Sequence, residues 1–180
     1  MFAGQMACEA LNFGLKRLIR EERPKQMYGK GYGMPSSHSQ FVAFFAVSLS
    51  LFLIFRHVPT PSMSYSPSTL PERLLLSVLA YVGAGAVAAS RVYLNYHTPK
   101  QVFVGVAAGV SFAIVWFVFT SCLRRSGWLE WGLDTWLSRR LRIRDLVTTE
   151  DLQDAGWERW ETRRQARRGI KAKRTSKKNR

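Results

Sequence analysis

Cysteine and acidic side chains are both scarce in these 180 residues. The two cysteines, Cys8 and Cys122, lie in or beside apolar segments, which excludes a disulfide scaffold and a four-ligand zinc site. They read as inert apolar fillers. Twelve Asp and Glu stand against 27 Lys and Arg, for a formal net charge of +15. No secretory leader pattern is visible, because Met1 opens into Phe2-Ala3-Gly4-Gln5 without a basic n-region or a clean apolar run. Internal repeats are lacking too. Hydrophobic residues make up 47% and aromatics 13%, which excludes a disordered polyelectrolyte. The mean hydropathy of −0.12 averages two unlike parts. Residues 1–122 hold ten basic and four acidic side chains, and residues 123–180 hold 17 and eight. A membrane-embedded domain over 1–123 and a basic, Trp-containing tail over 124–180 follow from that division.

Three stretches read as membrane spans: Gln40–Phe55, Leu74–Ala89 and Val102–Leu123. About 20 apolar residues cross ~30 Å of hydrocarbon, so the third fits easily and the first two only with their flanks. A buried soluble helix is the competing reading for any one of them; three joined in a row favour the membrane. Residues 2–15 look like the end of a fourth span whose beginning is missing. Arg56–Pro71 is rich in Pro and Ser and reads as a loop. Trp128, Trp131 and Trp136 suggest a segment lying at the membrane surface, and Thr148 or Thr149 with Glu150 and Asp151 suggests a helix start. The expected fold is therefore all-α, a polytopic helical bundle with a basic helical tail.

Lys and Arg accumulate on the cytoplasmic side of membrane proteins, which places the tail in the cytosol. Counting spans back then puts Lys100, Ser90, His38 and Lys16 at the opposite, lumenal face. Six basic side chains in residues 16–30 conflict with this rule. A functional need for them would explain the conflict, and so would a wrong topology. Beside a membrane the basic tail is expected to meet anionic lipid, at about 1 kcal/mol per basic residue near the surface, rather than nucleic acid.

Three polar clusters fall on the lumenal face. Lys16 precedes Arg23-Pro24 by seven positions; Pro35-Ser36-Ser37-His38 opens the first full span; Ser90-Arg91, His97 and Gln101 bridge the second and third. Lys16, Arg23 and Arg91 supply three cations, and Arg can hold two phosphate oxygens at once. The hydroxyls of Ser36, Ser37 and Ser90 can donate to further oxygens. Ser37-x-x-Gln40 and Thr98-x-x-Gln101 both fit capping boxes, the second with Pro99 at the first helical position. Two helix N-termini would then aim partial positive charge at one spot. One imidazole can attack phosphorus while the other protonates the leaving oxygen. The motifs spell an anion site with acid–base chemistry.

These clusters resemble the signature of the type-2 phosphatidic acid phosphatase superfamily: Lys-x6-Arg-Pro, Pro-Ser-Gly-His and Ser-Arg-x5-His-x3-Asp. Residues 32–41 (YGMPSSHSQF) and 90–98 (SRVYLNYHT) are similar to its dolichyl-diphosphatase branch. The likeness covers roughly residues 11–115. It implies a helical membrane bundle, here lacking its first helices, that uses no metal or other cofactor and forms a phosphohistidine. His97 would be the nucleophile and His38 the general acid. Lys16, Arg23, Ser36, Ser37, Ser90 and Arg91 would bind phosphate. Ser37 stands where the broad pattern has Gly, and Gln101 where it has the Asp that orients the nucleophile. Gln101 can accept a hydrogen bond from the imidazole N–H without bringing charge, or simply complete the cap of Thr98. Both departures look usual for the dolichyl-diphosphatase branch.

The resemblance implies an endoplasmic-reticulum enzyme that cleaves a polyisoprenyl diphosphate, dolichyl diphosphate above all, and recycles the lipid carrier of protein N-glycosylation. Lys177-Lys178 resemble a cytosolic dilysine retrieval signal read by coat proteins. Two alternatives stand beside this: a lipid phosphatase of broader specificity, and an inactive membrane fragment whose tail is a binding module. His57, at the opposite end of the first span, reads as a bystander. Gly105-x-x-x-Gly109 and the stripe Gly83, Gly85, Ala89 read as close helix packing.

Overall fold

Short local signals set where helices start and stop in this chain. The computed structural model describes residues 1–24, 31–57, 69–141, 143, 160, 162 and 164–166. Helix α1, Phe2–Ile19, ends where Arg20 takes left-handed backbone (φ 53°) and returns its N–H to the Lys16 carbonyl. Helix α2 covers Ser37–Leu51 and runs on through a π-helical turn, Phe52–Arg56. Helix α3 spans Leu70–Tyr93 and α4 spans Pro99–Arg125. Two short helices, α5 (Trp128–Asp134) and α6 (Trp136–Arg140), follow, with Trp128, Trp131 and Trp136 exposed. No strand occurs among the described residues, so the all-α expectation holds.

Three helices are long and apolar enough to cross a membrane: Ser37–Arg56, Leu70–Tyr93 and Pro99–Arg125. At 1.5 Å per residue they measure roughly 30, 36 and 40 Å. The expected spans lie inside them, and the flanks supply the missing length. Helix α1 is not among the three. Gln5, Glu9, Asn12, Lys16 and Arg17 interrupt its apolar surface, so the expectation of a fourth span gains no support from it.

The chain divides into two units. The first, Met1–His57 with Leu70–Arg142, contains α1 to α6; the second is Val58–Thr69 with Ile143–Arg180. In the second unit the Arg164 guanidinium lies 5.0 Å from the centroid of the Trp160 ring. The helix start expected at Thr148 or Thr149 and the Lys177-Lys178 signal lie outside the described residues.

Helix α2 is the centre of the first unit and packs on α1, α3 and α4. Its approach to α4 depends on missing side chains. A Cβ on Gly105 would sit 2.7 Å from the Ser36 carbonyl oxygen, and one on Gly109 would meet the Gln40 carbonyl and Ala43. The Gly-x-x-x-Gly reading is correct for α4. It is not correct for α3, where a Cβ on Gly83 or Gly85 would meet nothing within 4 Å. There α3 stands off, and Gly85 with Tyr81, Val42, Ala46, Val106 and Val110 lines a cavity of about 210 Å³.

Phe44, Val47, Cys8 and Ala113 form the buried core, with Phe112 and Trp116 packed on it. A polar bridge crosses that core between α1 and α2. Asn12 Nδ2 donates to Gln40 Oε1 at 2.7 Å, and Gln40 Nε2 donates to the Cys8 carbonyl at 2.9 Å. Polar groups in apolar surroundings are costly unless mutually bonded, so the bridge fixes how α1 sits on α2. It also corrects one expectation. Ser37 and Gln40 form no capping box: the N-cap is Ser36, it makes no side-chain capping bond, and Gln40 points at α1 instead.

At the far end, Arg56 donates to the Phe117 carbonyl, Thr120 Oγ1 and Ser121 Oγ and lies over the Phe117 ring. His57 closes the π-helical turn there, away from the motif residues, with its N–H on the Phe52 carbonyl.

Candidate active site

The opposite end of the bundle gathers the C-termini of α1 and α3 with the N-termini of α2 and α4. Chain economy explains the five-residue gap between Arg91 and His97. Beyond Tyr93 the backbone turns through Asn95 (φ 55°), and the N–H groups of Tyr96 and His97 both return to the Arg91 carbonyl, at 3.0 and 3.2 Å. Thr98 then caps α4, with Pro99 at the first position and Gln101 completing a capping box. His97 is thus clamped between the end of one apolar helix and the cap of the next.

Gln101 is the hub of this end. Its carbonyl Oε1 accepts from His97 Nδ1 at 3.1 Å and from the Thr98 N–H at 3.3 Å. Its Nε2 donates to the Glu22 carbonyl at 2.8 Å and to Glu21 Oε1 at 3.2 Å. The side chain is fully buried, and all four of its bonding positions are filled. A backbone N–H can only donate and a backbone carbonyl can only accept, so the orientation of the amide is determined. Neutral His97 must then carry its hydrogen on Nδ1. Gln101 thus caps α4 and bonds the His97 ring at the same time.

Three chain segments are knitted around that amide. The Gly33 N–H donates to the Glu21 carbonyl at 2.7 Å, and the Ser36 N–H donates to the Gln101 carbonyl at 3.2 Å. Gly33 lies flat against the amide: a Cβ there would fall 2.8 to 3.0 Å from Nε2, Oε1 and Cδ of Gln101. Gly33→Ala is therefore expected to push the amide off His97 and cut turnover by about 100-fold, the scale of a 1 Å misplacement. Phosphate release against unchanged helical circular dichroism checks this.

His97 is buried, with 6% of its surface exposed. Burial is the main cause that depresses its pKa below the ordinary 6.5; hydrogen bonds to Gln101 and the Gly33 backbone pull upward, while the charges of Arg23 and Lys16 push down. Those two cations are accordingly within electrostatic reach of the ring. Arg23 Nε is buried and has no hydrogen-bond partner among the described residues, and an orphaned buried donor is uncommon. Arg91 is oriented by its Nε–H to Ser90 Oγ at 3.2 Å and by the Tyr96 ring, 5.2 Å from its guanidinium carbon.

The hydroxyls divide differently from expectation. Ser90 already donates its hydrogen to the Val87 carbonyl at 2.7 Å, so it serves Arg91, and a direct phosphate contact requires that hydroxyl to turn. Ser36 is fully buried and accepts from Ser39 Oγ at 3.1 Å. Ser37 is half-buried in the first turn of α2, and His38 beside it has an exposed side chain. No protein hydrogen bond holds the His38 ring among the described residues. The Ser36–Gln101 bond, two residues away, ties the start of α2 to the His97 turn.

Sequence reasoning missed Glu21. It bonds Lys100 Nζ at 3.0 Å as well as Gln101, and these two contacts, Lys100 first, hold its carboxyl below the usual carboxylate range. One signal was available: Glu21 and Glu22 are two of only four acids in the first 122 residues, and both sit inside a basic segment.

A multi-helix membrane protein with cations and a held imidazole at one bundle end is the class that fold and site define. The chain belongs to the PAP2 superfamily, whose family pattern matches residues 3–125. A Neurospora crassa protein that carries dolichyldiphosphatase as a provisional name is 44% identical over 94% of this chain and 78% of its own. The Dictyostelium discoideum protein named dolichyldiphosphatase 1 is 35% identical over 84% of this chain and 65% of its own. The human protein of the same name is 44% identical, covering 66% of this chain. The chain spans about half of that human relative, 51% of its length. No solved structure matches it.

Proposed function

We propose that the chain hydrolyses a lipid diphosphate, dolichyl diphosphate first, to the lipid monophosphate and inorganic phosphate. The observation that carries this reading is the Gln101-held, buried His97 beside Arg23 and Lys16. With Nδ1 occupied, Nε2 offers the lone pair that attacks the terminal phosphorus. The bond to the bridging oxygen breaks, and His38 gives that oxygen its proton as dolichyl phosphate departs. His38, now a base, takes a proton from water, whose oxygen displaces His97 from phosphorus and frees phosphate. Arg23, Lys16 and Arg91 stabilise the charge on the transferring group, the main contribution in phosphoryl transfer.

Recycling of the N-glycosylation carrier in the endoplasmic-reticulum membrane, with a lumenal site and a cytosolic tail, is part of the same reading. It is supported by the names of the relatives and by the charge of the tail. A glycan acceptor site placed in the 92–97 turn should be modified and one placed in the tail should not. The reverse would overturn the topology.

The activity is tested on the purified full chain in lipid, with chelator present, using dolichyl diphosphate and phosphatidate side by side. Faster release from the diphosphate is expected. Equal or faster release from phosphatidate would favour the broader lipid phosphatase, and loss with chelator would end the metal-free mechanism. The pH profile gives a further check. The attacking imidazole must be neutral, and its depressed pKa keeps it neutral to lower pH than an ordinary histidine. The acid limb of kcat/KM should therefore lie below pH 6.5.

A further inference from the structure

We propose that Glu21 is a positioning residue for His97, acting through Gln101: its carboxylate holds the amide so that Oε1 faces Nδ1 and the phosphorus-attacking lone pair stays on Nε2. The proposal rests on the reading of His97 as nucleophile.

Gln101 lacks a charge. A carboxylate at that position would accept from Nδ1 by charge alone, whichever oxygen faced the ring. A neutral amide has two unlike ends, and only one of them suits. Turned over, it would present an N–H to Nδ1, move the imidazole hydrogen to Nε2 and hide the reactive lone pair. Something must hold it the right way round. Two backbone groups contribute, the Thr98 N–H and the Glu22 carbonyl. The second N–H of Nε2 goes to Glu21 Oε1, the only side-chain partner among the described residues to accept from that nitrogen.

The position of Glu21 is itself fixed twice. Its main-chain carbonyl takes the Gly33 N–H at 2.7 Å, and its other carboxylate oxygen takes Lys100 Nζ at 3.0 Å. Gly33 closes the remaining side of the amide, so the group cannot rotate freely within its niche. An acid absent from the position next to the imidazole is thus present one residue further out, reached through a fully buried amide.

A tether between the 20–24 segment and α4 would use the same contacts, and three variants of the full chain in lipid separate the two roles. Glu21→Ala removes the acceptor, Glu21→Gln keeps an oxygen acceptor without charge, and Lys100→Ala breaks only the ion pair. If Glu21 positions the amide, Glu21→Ala lowers kcat about tenfold or more at little-changed KM, the direction of a misaligned nucleophile. Glu21→Gln should recover to within about threefold of the parent and Lys100→Ala to within about twofold, since Lys100 is largely exposed and surface pairs contribute little.

Parental kcat in Glu21→Ala overturns the proposal. Equal losses in Lys100→Ala and Glu21→Ala overturn it in favour of a tether, and failure of Glu21→Gln to recover overturns it in favour of a charge effect. His97→Ala, assayed for base-stable phosphoenzyme, separates this from the underlying reading. If His97→Ala forms none while Glu21→Ala is unimpaired, only the positioning role falls; if His97→Ala still labels, the nucleophile assignment and the proposal fall together.

Discussion

His97→Ala is expected to reduce phosphate release from dolichyl diphosphate by about 10⁴-fold or more, the scale on which loss of a covalent nucleophile is felt. The side chain is buried, so the variant is paired with a stability control. Truncation leaves a cavity and an unmet Gln101 Oε1 lone pair, but Oε1 keeps the Thr98 N–H, and Gln101 stays joined to the 21–22 and 33–36 segments. The fold should survive a loss of a few kcal/mol of the kind reported for buried truncations. His97→Gln supplies the stricter comparison, because its amide can still reach Gln101 while offering no nucleophile. Both variants should fail to form the base-stable phosphoenzyme expected of the parent. Parental turnover in either would remove His97 from the reaction, and a protein that unfolds in His97→Ala but not in His97→Gln still allows the decision.

What could be read from the sequence was local. Thr98-Pro99-x-Gln101 predicts the start of α4 because every partner lies within four residues, and the capping box forms. Ser37-x-x-Gln40 has the same spelling, yet Gln40 is captured by Asn12 and Cys8 from another helix. A distant partner overrules a neighbouring one when both ends are buried and the local alternative is merely exposed to choice. Glycines show the same limit. Gly105 and Gly83 both lie in apolar helices long enough to cross a membrane, and spacing cannot say which faces a neighbouring backbone. The clusters Lys16 to Arg23, Ser36 to His38 and Arg91 to His97 were legible as motifs, and topology brought their ends together because antiparallel spans return the chain to one face. Glu21 was not legible, since its meaning depends on an amide 80 residues away.

Gly105→Ala should impair catalysis strongly although no group that touches phosphate is changed. The added Cβ would lie 2.7 Å from the Ser36 carbonyl oxygen, closer than Cβ atoms come to such a group, and a tight 3.3 Å from its nitrogen. Ser36 is backbone at the N-cap of α2, so no flexible side chain can move aside. Either α2 shifts as a whole or the Ser36–Gln101 bond lengthens, and both displace His38 relative to His97. A shift of about 1 Å costs about 100-fold in rate, and overpacking costs about 1–3 kcal/mol in stability. Gly83→Ala is the matched control, because its Cβ meets nothing within 4 Å. Replacing that helix-interior glycine should stabilise α3 by about 0.5–1 kcal/mol and leave turnover unchanged. The pair is read by phosphate release and thermal unfolding in the same lipid. Equal behaviour of the two variants would show that α2 and α4 do not depend on close backbone contact, and the link from helix packing to the His38–His97 geometry would then be broken.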